Sequence, residues 1–296
     1  MSSEFKSFDL AATAVVMTYN QEAMIRSAVL SILNQKCEPI EIIISDDSSS
    51  DQTWNIILSL TQGYQGPHKI VLNRNEKNIG IIAHYNLCFE MASCDIIVIC
   101  GGDDISAPNR AQTLIDEFRK TNSLLVFSDV DKYSLNTKEA ADHFLRKAPN
   151  FYHDHSAWSA AGSFSLFVGA AAAYHKDLIR KYGPIQKTNI YEDVVLGFRA
   201  ALEGRVSMIP EQLVKYRLGG LSTKKQHQGD KTLELDREIT IARQSLNVII
   251  QRLNDVRVSR KIFFCIRLKL AFLLLERLAK VVKLEVKRLI SPISLL

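Results

Sequence analysis

Three pairs of adjacent carboxylates stand out in the chain: Asp46-Asp47, Asp103-Asp104 and Glu192-Asp193. The first two closely follow apolar runs, 40–45 and 95–100, that read as buried strands. In an open α/β sheet, ligands sit beyond the carboxyl ends of the strands. Carboxylates gathered there repel one another unless a metal, a cation or a polar ligand compensates them. Such an arrangement suits a metal-assisted transfer from a phosphorylated sugar donor.

Each constellation also has a plainer reading. Thr18-Tyr19-Asn20 follows a third apolar run. A phenol ring there can stack on a nucleobase while hydroxyl and amide bond base or ribose; the same residues also make a polar turn, with Asn20 as helix N-cap and Glu22 in the first helical turn. The Asp46-Asp47 pair can accept the imide N–H of uracil or the ribose hydroxyls. Asp51 suits an N-cap, a role that leaves the two earlier aspartates unexplained. In Gly101-Gly102-Asp103-Asp104 the glycines allow close backbone approach to a ligand. The carboxylates that follow are hard oxygen donors for Mg2+ or Mn2+, ions that bind through one or two carboxylates plus substrate phosphates. Glu192-Asp193 opens a helical pattern, where acidic residues offset the macrodipole or one of them takes a proton from an acceptor hydroxyl. His153 and His155 share a face of an extended segment, but no third ligand is evident and a surface loop is expected.

The elements that must position these groups alternate. Strands are expected at 12–18, 40–45, 68–73, 96–100 and 124–128, with helices at 21–33, 51–60, 81–91 and 107–120 between them. This alternation implies right-handed βαβ units on a largely parallel sheet. Regularity breaks over 131–161, a stretch rich in aromatics and long enough to suggest function. An apolar run follows at 164–174, then helices at 176–182 and 192–203, short strands at 206–209 and 213–216, a Gly- and Lys-rich loop at 219–229, and helix beyond 232.

The 47% hydrophobic and 23% charged content is that of a globular protein. The net charge of +5 is concentrated: from Arg257 onward ten Lys/Arg face two Glu, a local +8 that leaves the first 256 residues at −3. A nucleic-acid-binding body would carry a spread basic surface, so no nucleic-acid partner is expected. The five cysteines lack metal-ligand spacing and read as reduced thiols. No signal-peptide pattern opens the chain, and no stretch approaches the ~18 apolar residues of a spanning helix. The expected location is the cytoplasm, with peripheral contact at the cytoplasmic face of the inner membrane as an option.

Taken together and in order, the motifs resemble the family 2 inverting glycosyltransferases of GT-A fold. The resemblance runs from about 12 to 222. It rests on Val16-Met17-Thr18-Tyr19-Asn20, the run 28–35, the segment 43–51 with Asp46-Asp47, Asn78-Ile79-Gly80, Gly102-Asp103-Asp104, Tyr191-Glu192-Asp193 and Tyr216-Arg217. It implies a Rossmann-like, mostly parallel sheet flanked by helices. The catalytic domain would span 1–230, with a nucleotide-sugar half at 8–130 and an acceptor half at 131–230, followed by a helical extension at 231–296. The implied reaction is inverting transfer of a hexosyl or N-acetylhexosaminyl group from a nucleotide-diphosphate sugar, a UDP-sugar foremost, to a saccharide hydroxyl. The acceptor expected is lipid-linked, in bacterial O-antigen or capsule synthesis. Thr18, Tyr19, Asn20, Glu22, Asp46, Asp47, Asn78, Gly80, Gly102 and Asp103 would hold the donor. Asp103 with Asp104 would hold Mn2+ or Mg2+, and Asp193 with Glu192 would be catalytic. Trp158, Gly169 and Glu192 would meet the acceptor. Two departures matter: Gly101 replaces the first Asp of the common Asp-x-Asp triplet, and Leu218-Gly219-Gly220 stands where many relatives carry a His after Tyr-Arg. Lys224, Lys225 or His227 on the loop could close over the diphosphate instead.

The alternative is a catalytically idle relative that scaffolds a polysaccharide-assembly complex. A nucleotidyltransferase would need a Gly-rich basic loop after the first strand, and a dinucleotide-dependent dehydrogenase would need G-x-G-x-x-G there. Thr18-Tyr19-Asn20-Gln21-Glu22 is neither. In the tail, Lys269, Glu276, Lys280, Lys283 and Lys287 recur at helical spacing opposite Phe263, Phe264, Leu270, Leu274, Leu278, Val281 and Leu289. The helix expected over 260–290 suits an anionic membrane, packing on the catalytic domain, or self-association.

Overall fold

The computed structural model describes residues 11–134, 150–218, 231–259 and 264–290. Parallel strands β1 (Thr13–Thr18), β2 (Glu41–Asp46), β3 (Lys69–Arg74) and β4 (Ile96–Gly101) form one half of an eight-stranded sheet. The other half comprises β5 (Ile105–Ser106), β6 (Leu125–Ser134), β7 (Ala172–His175) and β8 (Val206–Leu218). The order is β3-β2-β1-β4-β7-β6-β8-β5, with β7 antiparallel to both neighbours. The chain leaves β1 for β2 and β3 on one side and returns to β4 on the other. The strand direction of winding therefore reverses between β1 and β4, where a crevice opens at their carboxyl ends.

β1 and β2 are buried along their whole length, as strands covered on both faces must be. Alternation sends Val15 and Met17 of β1 into one apolar layer and Ala14 and Val16 into the other. The second layer is closed by α1 (Ile25–Leu33), α2 (Thr53–Thr61) and α4 (Arg110–Thr121). The first is closed by α3 (Ile81–Met91), α5 (Ala157–Gly162), α6 (Asp177–Tyr182), α7 (Glu192–Glu203) and two long helices, α8 (Lys231–Val258) and α9 (Phe264–Ile290). α8 gives Val248, Ile249 and Val256 to this layer, and α9 gives Ile266 and Leu270. Both described helices of the expected extension thus contribute to the main core. A buried bidentate pair confirms the tie: Arg199 of α7 donates two bonds of 3.1 Å to Asp255 of α8.

Several expectations change in detail. The helix expected from 21 begins at Ile25, because residues 20–24 are engaged in turns and Asn20 adopts a left-handed φ of +50°. The strands expected at 206–209 and 213–216 are one strand. Its register against β6 jumps from Ile209 to Gln212, so the irregularity absorbs Pro210, which cannot donate to the ladder. Of the apolar run 164–174, only its end becomes strand, after a 3-10 turn at Gly169–Ala171. Lys224, Lys225, His227 and the rest of the expected loop 219–229 lie outside the described residues, as does Phe263.

Candidate active site

A cleft of about 310 Å³ opens at the carboxyl ends of β1, β2 and β4. The backbone of the three strand ends is level: Gly102 N–H donates to Met17 O and Asp47 N–H to Thr18 O, each at 2.9 Å. Of the residues expected around a donor, Thr18, Tyr19, Asp47, Asn78, Gly80, Gly102 and Asp103 line this cleft. Asp47 is fixed by three donors, Asn75 Nδ2 at 2.8 Å, Ile79 N at 2.9 Å and Gly80 N at 3.0 Å. Gly80 reaches that carboxylate with φ +81°, a conformation that favours glycine. A side chain at Gly102 would stand 2.8 Å from Thr18 Cβ and 2.3 Å from Gln21 Oε1, so only a bare backbone fits under the Thr18–Gln21 hydrogen bond.

Asn20, Glu22 and Asp46 are not among the lining residues, and each has a supporting role. Asn20 Oδ1 accepts from Ser50 N at 2.8 Å, and Glu22 Oε2 accepts from Gln52 N at 2.9 Å. Asp51 in turn accepts from Glu22 N and Thr53 N. These bonds join the loops after β1 and β2. Asp46 is fully buried, ion-paired with Arg74 at 3.3 Å and bonded to Ser49.

The Asp103-Asp104 pair divides its work. Asp103 lines the cleft, 3.7 Å from Arg217 Nε of β8. Asp104 turns away and accepts from Arg217 N at 2.8 Å. Burial raises Asp103, and burial plus the neighbouring Asp103 pushes Asp104 up to about 7. A cation would favour the ionised form of both. No cluster of three metal-type ligands occurs among the described residues; of the pair, Asp103 lines the cleft, and one or two carboxylates plus substrate phosphates is how Mg2+ or Mn2+ is commonly bound. Gly101 is no mere loss of a ligand: a Cβ there would meet Asp104 Oδ2 at 2.6 Å, so its space belongs to the Asp104 carboxylate.

Glu192 and Asp193 open α7 beside this cleft. Tyr85, which lines it, donates to Glu192 Oε1 at 2.9 Å. Gly169 precedes the lining residue Ala170, and a Cβ on it would meet Glu192 Oε1 at 2.4 Å and Asp193 Cβ at 3.4 Å. Burial, reinforced by Glu192, holds the Asp193 carboxyl well above the usual carboxylate range, against the pull of Arg252. Arg252 is a fully buried residue of α8 that donates to Val194 O and Ala161 O. Asp193 itself is not a lining residue of this cleft; it is half-buried at the start of α7, beside the Gly169 backbone. Trp158 lies apart from the cleft, half exposed, with Lys269 Nζ 4.1 Å from its ring centre.

Sequence reasoning missed Gln21, His84, Tyr85 and Arg110. His84 lines the cleft and meets Ser45 Oγ at 2.6 Å; burial lowers its pKa. Arg110, wholly buried, donates to Ile99 O and Ala170 O at 2.7 Å and joins the end of β4 to the Gly169–Ala171 turn. The available signal was a polar pair, His84-Tyr85, on the apolar face of α3.

Residues 13–183 match the model described as Glycosyl transferase family 2. Among curated proteins, the chain is 24% identical over 214 residues to the uncharacterized glycosyltransferase alr2836 of Nostoc sp., a match covering 70% of this chain and 65% of that one. It is 31% identical over 105 residues to the GalNAc(5)-diNAcBac-PP-undecaprenol beta-1,3-glucosyltransferase of Campylobacter jejuni, covering 36% of this chain and 33% of that protein. The chain thus spans about two thirds of the first relative and a third of the second. Among solved structures, S. aureus TarS 1-349 in complex with UDP superposes with a TM-score of 0.59 at 15% identity, over 90% of this chain and 70% of that one. The mannosyltransferase PcManGT of Pyrobaculum calidifontis, in complex with GDP-Man and Mn2+, gives 0.59 at 17% identity, over 93% and 72%. These likenesses establish the GT-A fold.

Proposed function

The chain belongs to glycosyl transferase family 2, and from that premise we propose that it is an inverting glycosyltransferase that uses a nucleotide-diphosphate sugar, a UDP-sugar foremost. The observation that carries this reading is the shared cleft: Asp47 and Asp103, from separate strand ends, open on one cavity whose wall residue Tyr85 bonds Glu192, with Gly169, next in the chain to the wall residue Ala170, beside Glu192-Asp193. Nucleotides bound by the structural neighbours, UDP and GDP-Man, support a donor of this class.

In this reading Tyr19 stacks on the base and Asp47 accepts from base or ribose. The bare backbone at Gly102 lets the diphosphate approach. Asp103 would hold a divalent cation, which as a Lewis acid offsets charge on the departing diphosphate. Asp193 takes the acceptor hydroxyl's proton as that oxygen attacks the anomeric carbon, and the raised pKa of its carboxyl makes it a stronger base once ionised. Glu192, held by Tyr85, faces the acceptor. The acceptor is a lipid-linked saccharide of a bacterial surface glycan, met at the cytoplasmic face of the membrane; the Campylobacter relative's undecaprenol-linked substrate supports that class.

The test is release of nucleoside diphosphate from UDP-sugars with Mn2+ or Mg2+, with and without an acceptor. Asp193→Asn should lower acceptor-dependent release at least a hundredfold while donor affinity holds, since general bases contribute about 10²–10⁴ in rate. Equal release by the two proteins would assign the base to another group, and no release by either, with donor still bound, would mark an idle scaffold.

A further inference from the structure

α9 carries two apolar faces. Ile266, Leu270 and Leu284 are buried toward the body and α8. Phe264, Leu268, Phe272, Leu275, Val282 and Leu289 leave 56–73% of their surface exposed. Steps of three, four or seven residues, at about 100° each, stack them in one stripe on the side of the helix away from the core. The tail thus differs from the expectation: Leu270, Leu274 and Val281 pack inward, while Phe264 and Leu289 belong to the outer stripe with residues that the simple two-sided reading had not grouped.

The 27-residue helix is about 40 Å long at 1.5 Å per residue, and an exposed apolar band of that length marks an interaction surface. Its charge selects the partner. α9 has seven Lys/Arg against two Glu. Lys280, Lys283 and Lys287 are exposed along one flank of the stripe. Glu285 is paired with Arg243 of α8, Arg288 with Asp236 of α8, and Glu276 stands beside Arg277, so the cationic surplus of the outer surface lies with the three lysines. Two copies meeting stripe to stripe would bring these cations together, whereas an anionic bilayer complements them. No helix among the described residues is long and apolar enough to cross a membrane. We propose that α9 docks the protein on an anionic membrane, lying in the interface with its outer stripe in the acyl boundary and its lysines at the phosphates.

The placement suits the proposed chemistry. α9 packs on α5, which packs on α7, the helix that opens with Glu192-Asp193. Docking would set the acceptor side of the cleft near the bilayer; this consequence rests on the glycosyl-transfer reading, the docking itself does not.

Sedimentation of the full chain with vesicles tests it without any assay of activity. Binding to phosphatidylcholine–phosphatidylglycerol vesicles should exceed binding to phosphatidylcholine alone and fall as salt rises. Replacing Lys280, Lys283 and Lys287 together by Ala should weaken it roughly a hundredfold, at about 1 kcal/mol per lysine. Leu275→Glu with Val282→Glu should abolish it with the thermal transition retained. Equal binding to neutral and anionic vesicles overturns the proposal. So does absence of vesicle binding by the unmodified chain, and a dimer in ultracentrifugation that Leu275→Glu with Val282→Glu dissolves would then assign the stripe to a second copy.

Discussion

At the scale of single residues, the site is built from side chains that have little room to be anything else. Gly102 is the clearest case. A methyl there would sit 2.8 Å from Thr18 Cβ and Oγ1, and Thr18 cannot yield because its hydroxyl is bonded to Gln21 at 2.7 Å. Gly102→Ala should therefore strain this loop, lowering the thermal transition, and weaken nucleotide binding by the folded variant about tenfold or more, some 1.4 kcal/mol, measured by calorimetry. An unchanged affinity would mean that the donor does not approach this backbone. Asp193 gives a prediction in pH. Its carboxyl is raised by burial and by Glu192, and a base must be ionised to act. Turnover should thus rise with pH through a limb above the ordinary carboxylate range. Glu192→Gln removes the neighbouring negative charge, so the same limb should move to lower pH even if the maximal rate drops. A limb that stays put would assign it to another group.

At the scale of elements, the parallel half of the sheet was legible and the loops were not. Helix 81–91 and the helix from 192 to about 203 match the expectation, because apolar periodicity marks both and Gly204 ends the second. The same periodicity hid His84 and Tyr85: on a buried helical face a polar side chain reads as an interruption, and only the third dimension shows that the face borders a cleft. Asp46 and Asp47 were indistinguishable as a pair, since alternation turns one toward Arg74 and the next toward the cleft only once the strand end is known. The C-terminal helices read as an appendage because no sequence pattern pairs Arg199 with Asp255, 56 residues apart. That pair is buried at both ends, with side chains 0% and 2% exposed. Asp255→Ala should cost about 3–5 kcal/mol, since it strands a guanidinium in the core. Replacing both by apolar residues should restore much of the loss. Denaturant melts of the single and double variants separate this from a mere cavity, for which the double variant would be no better.

At the scale of the molecule, one apolar layer runs from the sheet beneath the cleft to the last described helix, and this fixes how the protein should unfold. Val15, Ile97 and Ile99 lie in the same cluster as Ile249 of α8 and Leu270 of α9. Removing α9 to test membrane binding would strip this layer, so point changes on its outer stripe are the cleaner probe. The two faces of α9 should then respond oppositely. Leu270, fully buried, should cost about 2–5 kcal/mol when changed to Ala, through lost transfer energy and the cavity left behind. Leu275, 68% exposed, should cost no more than about 0.5 kcal/mol when changed to Ser. If the core is one cooperative unit, amide exchange in β4 and in the amino-terminal half of α9 should report the same opening free energy, and Leu270→Ala should lower both by the same amount. Protection falling in α9 alone, with β4 unaffected, would show instead that the helix opens as a separate unit and that the shared cluster does not couple them.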